Sequence, residues 1–401
     1  MQNKKTIMFC EGNIDGTIGG SYYSLLYLTR GLDKTKYTPV VVFHRDNALI
    51  PEYNKAGVRT LVVPSFDPIL FQSNGKIPLL NPIIKIVQKL ANMFGYLFVY
   101  GNKYKKLLQE NSVDLLHLNN SIIRNNNWIV AASMARVPCI THERGINEHY
   151  PAISKFLAKS LKSIISISNS VTERLTSNGI AAEKIVTIHN GIDPDDVRLK
   201  VSDQDILQQL NIGSDFNVIG VIGNIKEWKG QEVAVRAMGK VVDVFPNTVC
   251  LLIGDTSKED TYYQERLKSL ITELGLESNI IFTGHVSNVP DYLNVLDIML
   301  HTSIDPEPFG RVLIEAMSLS KPLIASNDGA IPEIVEHGKT GLTFTPGDHQ
   351  HLAESVISLL QDRGYAEQIG KAGFERLMDN FHINVNVQKT ESLYDEILTD
   401  G

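Results

Sequence analysis

Short apolar runs alternate with polar, helix-like segments along the whole chain. In the first half the apolar runs are KTIMFC, TPVVVF, RTLVVP, VDLLHL, VPCITH, SIISIS and KIVTIH. They are rich in β-branched residues, which is typical of strands that are buried on both faces of a parallel sheet. The segments between them, such as SYYSLLYLTRGL and SVTERLTSNG, have the pattern of helices, and the second one closes on Gly179, as a helix often does. The first half therefore predicts parallel strands joined by helices.

The same alternation begins again after HNGIDPDD. The apolar runs of the second half are FNVIGVIGN, TVCLLIGD, NIIFTG, LDIMLHTS, KPLIAS and GLTFTP. A chain of 401 residues is also too long for one core, because single cores stop growing near about 250 to 300 residues. We therefore predict an α/β protein with two doubly wound units that join between Asn190 and Lys200. Ligands of such sheets bind at the carboxyl ends of the strands, so the cleft between the two sheets is the expected site.

The segment 66–110 is too long for an ordinary connection and contains the helical candidate IIKIVQKLANMFGYLFVYGNKYKK. Its apolar residues recur at steps of three and four, with lysine and amide side chains on the opposite side. The segment contains six lysines but only two acidic residues, Asp67 and Glu110, so it is locally basic. Two interpretations stay open. The helix either contacts anionic lipid or admits a lipid-linked acceptor, or it covers the sheet with its apolar face.

Composition and charge narrow the function classes. The net charge of −7 argues against nucleic acid as the main partner, because phosphate binding needs a basic surface. The three cysteines, Cys10, Cys139 and Cys250, are widely separated in apolar runs, so we expect reduced, buried thiols in a cytoplasmic protein, without a disulfide or metal framework. No run reaches the roughly 18 apolar residues of a membrane span, and the first apolar run is too short for a signal peptide.

The glycine-rich stretch CEGNIDGTIGGSYYSLL follows the first strand and opens the first helix. Backbone N–H groups at such a place favour an anion, for example a diphosphate. The spacing of Gly12, Gly16, Gly19 and Gly20 matches neither G-x-G-x-x-G nor a Walker A loop, which disfavours a dehydrogenase and a P-loop enzyme. By itself the stretch could equally be a structural turn.

A second candidate loop, in GVIGNIKEWKGQEVAVRAM, bears Lys226, Lys229 and Gly230 between a strand that ends at Gly223 and an apolar helix. A lysine at the carboxyl end of a parallel strand is well placed for a phosphate group. Taken alone, such a lysine is more often solvated surface.

The stretch IDPEPFGRVLIEAM carries two carboxylates around the start of a helix, after a strand that is expected to end at Ser303. Gly310 would let a ligand approach the free N–H groups of the first turn, close to Glu307. Glu315 lies inside the helix among apolar residues, and a buried carboxylate needs donors, such as the hydroxyls of a sugar or ribose. The alternative is an ion pair with Arg311, four residues before it.

Together these stretches resemble the retaining glycosyltransferases of the GT-B fold, in particular family 4, over nearly the whole chain. The resemblance is carried by the glycine-rich loop, CITHERG, VTIHNGID, GNIKEWKG, LLIGD, IFTGHVSNVPDYLNVLDIMLHTS, EPFGRVLIEAMSLSKPLIAS and GAIPEIVEHGKTGLTF. The most specific part is Glu307 and Glu315, which form the E-x7-E signature of the family. The resemblance implies two Rossmann-like doubly wound domains that face each other across a cleft.

Domain limits follow from the same resemblance. Residues 1–195 would form the acceptor-side domain, with a membrane-proximal helix at 77–106. Residues 196–380 would form the nucleotide-sugar-binding domain. Residues 381–401 would form a terminal helix that crosses back to the first domain.

The resemblance also implies roles for residues of the second domain. Glu307 would accept hydrogen bonds from hydroxyls of the donor sugar, with the amides of Phe309 and Gly310 near its phosphates or sugar. Glu315 would hold the ribose. Lys229 would neutralise the departing diphosphate, where charge develops in the transition state.

Further implied roles concern both domains. Gly19 and Gly20 would approach the phosphates, and His142 would lie beside the sugar at the reacting centre. His285 and Val286 would flank the base of the nucleotide.

The implied catalytic residues are thus His142, Glu307 and Lys229. The implied donor-binding residues are Gly19, Gly20, Asn224, Lys226, Lys229, His285, Val286, Glu307, Phe309, Gly310, Arg311 and Glu315. One position departs from the family pattern, because Asn224 stands where an arginine is usual. Lys226 is the nearby cation that could take its place.

The implied reaction is hexosyl transfer with retention of anomeric configuration, in which the acceptor attacks on the face from which the nucleoside diphosphate departs. The donor phosphate would take the acceptor proton, so neither a side-chain base nor a metal or other cofactor is expected. The donor would be UDP- or GDP-linked and the acceptor a sugar, glycan or lipid-linked hydroxyl, in bacterial polysaccharide or glycolipid synthesis. The expected location is the cytoplasm, and the more specific expectation is the inner face of the cell membrane.

Two alternatives to the transferase stay open. One is a nucleotide-sugar epimerase of the same fold, which would consume the donor without an acceptor; a phosphorylase is normally longer and needs a pyridoxal lysine. The other is a catalytically weak nucleotide-sugar-binding protein, which Asn224 suggests.

Overall fold

The computed structural model describes residues 4–14, 16, 18–68 and 81–399. The chain divides into two compact units. Unit 1 comprises Met1–His189 and Asn386–Gly401, and unit 2 comprises Asn190–Val385. Each unit is built around one parallel sheet, so the predicted α/β class with two doubly wound units is confirmed.

Unit 1 contains a seven-stranded sheet in the order β3-β2-β1-β4-β5-β6-β7, with every neighbouring pair parallel. Its strands are β1 (Lys5–Glu11), β2 (Tyr37–Phe43), β3 (Arg59–Val62), β4 (Leu115–Asn119), β5 (Cys139–Glu143), β6 (Ser163–Ser166) and β7 (Ile185–Thr187). Its helices are α1 (Gly20–Gly31), α2 (Ile50–Lys55), α3 (Asn81–Phe94), α4 (Tyr100–Glu110), α5 (Asn126–Ala135), α6 (Ala152–Ala158) and α7 (Asn169–Ser177). The strand order reverses at β1 and β4, whose carboxyl ends lie side by side, so this edge is where a doubly wound sheet binds ligands.

Unit 2 repeats the design with a six-stranded parallel sheet in the order β10-β9-β8-β11-β12-β13. Its strands are β8 (Asn217–Ile222), β9 (Thr248–Ile253), β10 (Ile280–Gly284), β11 (Ile298–His301), β12 (Leu323–Ser326) and β13 (Leu342–Phe344). Its helices are α8 (Asp203–Gln209), α9 (Gln231–Val244), α10 (Thr261–Glu273), α11 (Val289–Val295), α12 (Arg311–Ser318), α13 (Ile331–Ile334), α14 (His349–Gln361) and α15 (Arg363–Arg376). Here the order reverses at β8 and β11, which pair directly.

Two strands of unit 2 end earlier than the apolar pattern indicates. The first, β8, ends at Ile222 rather than at Gly223, whose φ of 147° departs from strand geometry. The second, β11, ends at His301 rather than at Ser303. Ser303 therefore belongs to the loop that follows β11 and can point its hydroxyl toward other residues of that loop.

The last helix, α16 (Ile383–Thr399), belongs to unit 1 from Asn386 onward. Its Val387 side chain packs on Gly31 so closely that a Cβ added there would lie 2.6 Å from Val387 Cγ2. Glu391 accepts a 2.6 Å hydrogen bond from the Asp33 amide. Tyr394 is fully buried, edge-on to the ring of Tyr37. Residues from the far end of the chain thus complete the core of unit 1.

The predicted 77–106 helix is observed as α3 and α4, joined by a π turn at Gly95–Val99; residues 77–80 lie outside the described residues. The second part, α4, packs on α5 through Tyr104, whose ring stacks on Trp128 at 3.9 Å. The apolar side chains of α3 and the π turn are largely exposed, up to 61% at Phe94. These exposed side chains are Ile86, Val87, Leu90, Met93, Phe94, Phe98 and Val99. They do not cover the sheet, which was one of the two interpretations.

Candidate active site

In unit 2, the loops that follow β8 and β11 bring Lys229 and Glu307 together. Because β8 and β11 are parallel neighbours, their carboxyl ends open on the same edge of the sheet. Lys229 Nζ lies 2.6 Å from Glu307 Oε2, and the Ser303 hydroxyl donates to the same oxygen at 3.2 Å. The ammonium also lies 4.1 Å from the ring centroid of Trp228, which favours a cation there. Two of the three residues predicted to be catalytic are therefore in direct contact.

The environment keeps Glu307 ionised. Burial by itself would raise the pKa of this carboxyl, but hydrogen bonding with His301 and the positive charge of Lys229 outweigh burial and lower the pKa to about 2. His301 Nε2 lies 3.4 Å from Glu307 Oε2, so the shorter contact is the one with Lys229. At neutral pH the site therefore presents a carboxylate, which only accepts hydrogen bonds, beside an ammonium, which only donates them.

Two glycines hold these loops in place. Gly329 has φ = 60°, and a Cβ added there would lie 2.4 Å from the carbonyl oxygen of Glu307. The amide of Ala330 donates to that same oxygen at 2.9 Å. Gly230 has φ = 66°, and a Cβ there would lie 2.0 Å from the carbonyl oxygen of Thr302. Only glycine allows both the left-handed backbone and these close approaches.

The E-x7-E signature spans the start of α12, which begins at Arg311, just after Gly310 with φ = 85°. Arg311 Nη2 donates to Glu315 Oε1 at 2.9 Å, so the ion pair considered as the alternative for Glu315 is present. Both side chains stay partly exposed. The Phe309 side chain is buried against Phe381, so of this residue only the backbone is placed for a ligand.

Four other predicted residues of unit 2 have no hydrogen bond or ion pair with Lys229 or Glu307 among the described residues; they are Asn224, Lys226, His285 and Val286. Asn224 is exposed, and its carbonyl oxygen accepts from Gln231. The ion pair of Lys226 is with Asp260, at 3.4 Å. His285 is exposed and Val286 half-buried directly after β10. The cation proposed to replace the missing arginine is thus engaged by an aspartate.

In unit 1, His142 lies near the carboxyl end of β5 and is only 1% exposed. Its Nδ1 atom is 2.7 Å from Nε2 of His117, and the two ring planes are within 11° of each other, with their centroids 4.8 Å apart. Burial, together with the charge of Arg144 and the neighbouring His117, lowers the pKa of His142 well below its usual value, so the ring is neutral. Its Nε2 atom is buried without a hydrogen-bond partner among the described residues.

Gly19 and Gly20 lie at the start of α1, Gly19 as the residue before the helix and Gly20 as its first residue. Both are exposed, and a Cβ added at Gly19 would meet nothing within 4 Å. Packing within the protein therefore does not require glycine at position 19.

Several buried polar residues of unit 1 were missed by sequence reasoning. Glu11 ends β1 and accepts hydrogen bonds from Asn119, at the end of β4, and from the amide of Asn13. Glu143 ends β5 and accepts from the Tyr150 hydroxyl at 2.7 Å. Burial raises the pKa of Glu11 and brings that of Glu143 to about 8. The available signal was a polar residue at the end of each of three apolar runs, at the edge where ligands bind.

No helix in the described ranges has the length and apolar character needed to cross a bilayer. The same ranges hold no group of three or more histidine, cysteine, aspartate or glutamate side chains arranged for a metal ion.

Two family models match the chain, one to each half. The model described as Glycosyltransferase Family 4 matches residues 18–196. The model described as Glycosyl transferases group 1 matches residues 202–376. The Lys229–Glu307 pair and the E-x7-E signature lie within the second match, and His142 lies within the first.

Individual relatives share about a quarter of their aligned residues with this chain. The N-acetyl-alpha-D-glucosaminyl L-malate synthase of Bacillus anthracis is 26% identical over 314 residues, which cover 76% of this chain and 80% of that protein. The capsular polysaccharide biosynthesis glycosyltransferase CapM of Staphylococcus aureus is 27% identical over 59% of this chain and 62% of its own length. Among solved structures, HepE of Anabaena in complex with UDP superposes with a TM-score of 0.80 at 25% identity, covering 97% of this chain and all of that one.

Proposed function

Because this chain belongs to glycosyltransferase family 4 and has the GT-B fold, we propose that it transfers a sugar from a nucleotide-sugar donor to an acceptor hydroxyl with retention of configuration. Glycosyltransferase activity itself follows from the family. The choice of donor is supported by HepE, whose structures include complexes with UDP and with UDP-glucose. The observation that carries the proposal is the Lys229–Glu307 ion pair at the carboxyl ends of β8 and β11.

The proposed roles follow from the charges. The ionised Glu307 accepts hydrogen bonds from donor-sugar hydroxyls, and Lys229 stabilises the negative charge that develops on the departing diphosphate. Glu315 accepts hydrogen bonds from ribose hydroxyls, and Arg311, its ion-pair partner, fixes the direction of the carboxylate. The backbone amides near Gly310 face the phosphates or the sugar. UDP or GDP is the expected nucleotide.

In the proposed reaction the acceptor oxygen forms a bond to the anomeric carbon while the bond from that carbon to the phosphate oxygen breaks. The acceptor proton passes to an oxygen of the departing diphosphate, so no side-chain base is required. We propose that His142 binds the sugar as a neutral ring. We propose that no metal takes part; loss of activity in a chelator that only manganese restores would contradict this.

The proposed acceptor rests on the activities of the relatives. They include the N-acetyl-alpha-D-glucosaminyl L-malate synthase of Bacillus anthracis, the capsular polysaccharide biosynthesis glycosyltransferase of Staphylococcus aureus and a lipopolysaccharide core biosynthesis mannosyltransferase of Rhizobium meliloti. We propose a hydroxyl of a sugar, glycan or lipid-linked acceptor in bacterial polysaccharide or glycolipid assembly. The epimerase alternative has no support in the family matches.

A screen of sugar nucleotides for thermal stabilisation identifies the donor, because a ligand at 100 times its Kd stabilises the protein by about 2.7 kcal/mol. With that donor, we expect slow release of nucleoside diphosphate by the wild type and none by Glu307→Ala. Glu265→Ala is the matched control, since Glu265 is an exposed carboxylate of unit 2 whose ion pair among the described residues is with Lys268. Binding without turnover of any donor would favour the binding-protein alternative, and a donor recovered in epimerised form would favour the epimerase.

We also propose that α3 and the π turn contact the inner face of the cell membrane. Phe94 and Phe98 lie with their ring centroids 5.4 Å apart and are at least half exposed. The lysines Lys85, Lys89 and Lys103 are exposed in the same segment. An exposed apolar strip beside cations suits a bilayer surface that contains anionic lipid.

Vesicle flotation tests this contact. The wild type is expected to float with vesicles that contain anionic lipid, and the double variant Phe94→Ser and Phe98→Ser is expected to stay in the lower fraction. Phe156→Ser is the matched control, because Phe156 in α6 is equally exposed, at 66%, outside this segment. Equal flotation of the wild type and the double variant would remove the basis of the proposal.

A further inference from the structure

Three buried side chains of unit 1 form a continuous hydrogen-bonded row that leads from the last helix to the candidate catalytic histidine. Tyr394 lies on α16, His117 on β4 and His142 on β5. The Tyr394 hydroxyl is 2.5 Å from His117 Nδ1, and His117 Nε2 is 2.7 Å from His142 Nδ1. All three are at most 1% exposed.

All three groups are uncharged near neutral pH. Burial raises the pKa of the Tyr394 phenol well above its usual value, so the phenol keeps its proton. Burial and the charge of Arg144 lower the pKa of His117 to about 3 and that of His142 well below its usual value. Each imidazole therefore carries one N–H and one acceptor nitrogen, and the two tautomers differ only in which nitrogen has the proton.

The numbers of donors and acceptors determine the direction in which the hydrogen bonds of the row donate. If the Tyr394 hydroxyl donates to His117 Nδ1, then His117 Nε2–H donates to His142 Nδ1, and only the Nε2–H of His142 has no partner. In the reverse direction the Tyr394 hydroxyl hydrogen would be buried without an acceptor, because His117 is the only hydrogen-bond partner of this hydroxyl among the described residues. His142 Nε2 would then be a second unpaired group. Since each buried unpaired polar group is costly, the first direction is favoured.

We propose that Tyr394 is a positioning residue that acts through His117 to hold His142 in the tautomer with its proton on Nε2. The buried Nε2 atom of His142 is the one atom of the row without a partner, so it is the group that an oxygen of a bound molecule would satisfy. The identity of that oxygen rests on the proposed function: it belongs to the donor sugar, and His142 donates a hydrogen bond to it. A helix from the end of the chain thus determines how the site in unit 1 presents its histidine.

Nitrogen NMR of protein labelled with [15N]histidine tests the tautomer without any substrate. The resonances of His142 are assigned by their disappearance in His142→Gln. In the wild type we expect a protonated Nε2 and an unprotonated Nδ1. In Tyr394→Phe, which keeps the ring but lacks the hydroxyl, we expect this single tautomer to be lost.

Tyr37→Phe is the matched control, because Tyr37 is a buried tyrosine next to Tyr394 whose hydroxyl donates to Asp395 and not to a histidine. Its His142 resonances should match the wild type. If Tyr394→Phe fails to fold, His117→Gln serves instead, since the amide still offers an acceptor and a donor and should preserve the Nε2 proton. A wild-type His142 with its proton on Nδ1, or an unchanged spectrum in Tyr394→Phe, would overturn the proposal.

Kinetics with the identified donor give the second readout. Loss of one ordering hydrogen bond is expected to lower kcat about tenfold in Tyr394→Phe, with KM for the donor changed less than about twofold. A change in tautomer in protein that turns over no sugar nucleotide would support the role of Tyr394 and contradict the proposed function. Turnover of the donor with the same His142 spectrum in wild type and Tyr394→Phe would support the proposed function and contradict the role of Tyr394.

Discussion

Replacing Glu307 by glutamine should remove a specific part of the acid sensitivity of unit 2. The carboxyl pKa falls from its ordinary value of 4.5 to about 2 in the folded protein, against burial, through His301 and Lys229. Each unit of difference between the pKa values of the folded and unfolded states is worth about 1.4 kcal/mol, so ionisation of Glu307 contributes about 3 kcal/mol to the free energy of unfolding. The side chain is 12% exposed, so solvent screens this contribution little.

The sign follows from linkage. Because the pKa is lower in the folded state, the contribution is complete above pH 4.5 and is lost as the pH falls toward 2. About 2 kcal/mol of it should be lost between pH 6 and pH 3. The free energy of unfolding of Glu307→Gln should lack this loss. At pH 6 the variant should be less stable than the wild type, because Lys229 remains without its carboxylate, and the difference should narrow on acidification.

Tryptophan fluorescence makes the measurement specific for unit 2. The chain has two tryptophans, Trp128 in unit 1 and Trp228 in unit 2, so a Trp128→Phe background leaves a single reporter beside Lys229. Urea unfolding at a series of pH values then yields the difference between wild type and variant. Glu265→Gln, at an exposed carboxylate, should show the pH dependence of the wild type. If the difference between wild type and Glu307→Gln stays constant within about 0.5 kcal/mol from pH 6 to pH 3, the electrostatic reasoning is wrong.

Three further perturbations have definite expected outcomes. Gly329→Ala should lower the free energy of unfolding by about 2 kcal/mol or more, because φ is positive at Gly329 and the new Cβ would meet the Glu307 backbone. The control Gly239→Ala, at a helix position with open space around it, should be neutral or stabilising, and equal shifts of the urea midpoint in both variants would contradict this. The raised pKa of Glu143, about 8, means that unit 1 takes up a proton on folding above pH 4.5, so its stability, read from Trp128, should fall as the pH rises from 5 to 8, and Glu143→Gln should flatten that slope. The three cysteine thiols, whose pKa values burial raises, should react with a thiol reagent only after denaturation, and rapid reaction of the folded protein would contradict their burial.

Much of the fold could be predicted because parallel strands that are buried on both faces leave continuous apolar runs. Each of the thirteen strands among the described residues overlaps one of the runs identified from the sequence, and β1, β2, β4 and β5 extend one residue beyond their runs. Strand ends were less accurate, since Thr302 and Ile304 are β-branched although β11 ends at His301. The order of strands within each sheet depends on pairing between distant segments, which periodicity does not contain.

The candidate site was predicted unevenly for the same reason. Lys229 and Glu307 were recognised as members of motifs, but their contact joins positions 78 residues apart and needed the structure. The row from Tyr394 to His117 spans 277 residues, and neither residue stands out in its own segment. Lys226 shows the converse, because its charge suggested a phosphate contact while Asp260, on another loop, engages it. The roles of all these residues in binding a donor stay predictions.

The return of the last helix to unit 1 affects the order in which the protein can be assembled during translation. Unit 1 is made of two segments, and all of unit 2 is synthesised between them. At about 5 to 20 residues per second, the ribosome needs on the order of tens of seconds to pass through unit 2. During that time the surface around Gly31 lacks the helix that covers it. Unit 2 is contiguous and can fold first, which reverses the usual order, so the first unit to emerge from the ribosome is the last to be completed.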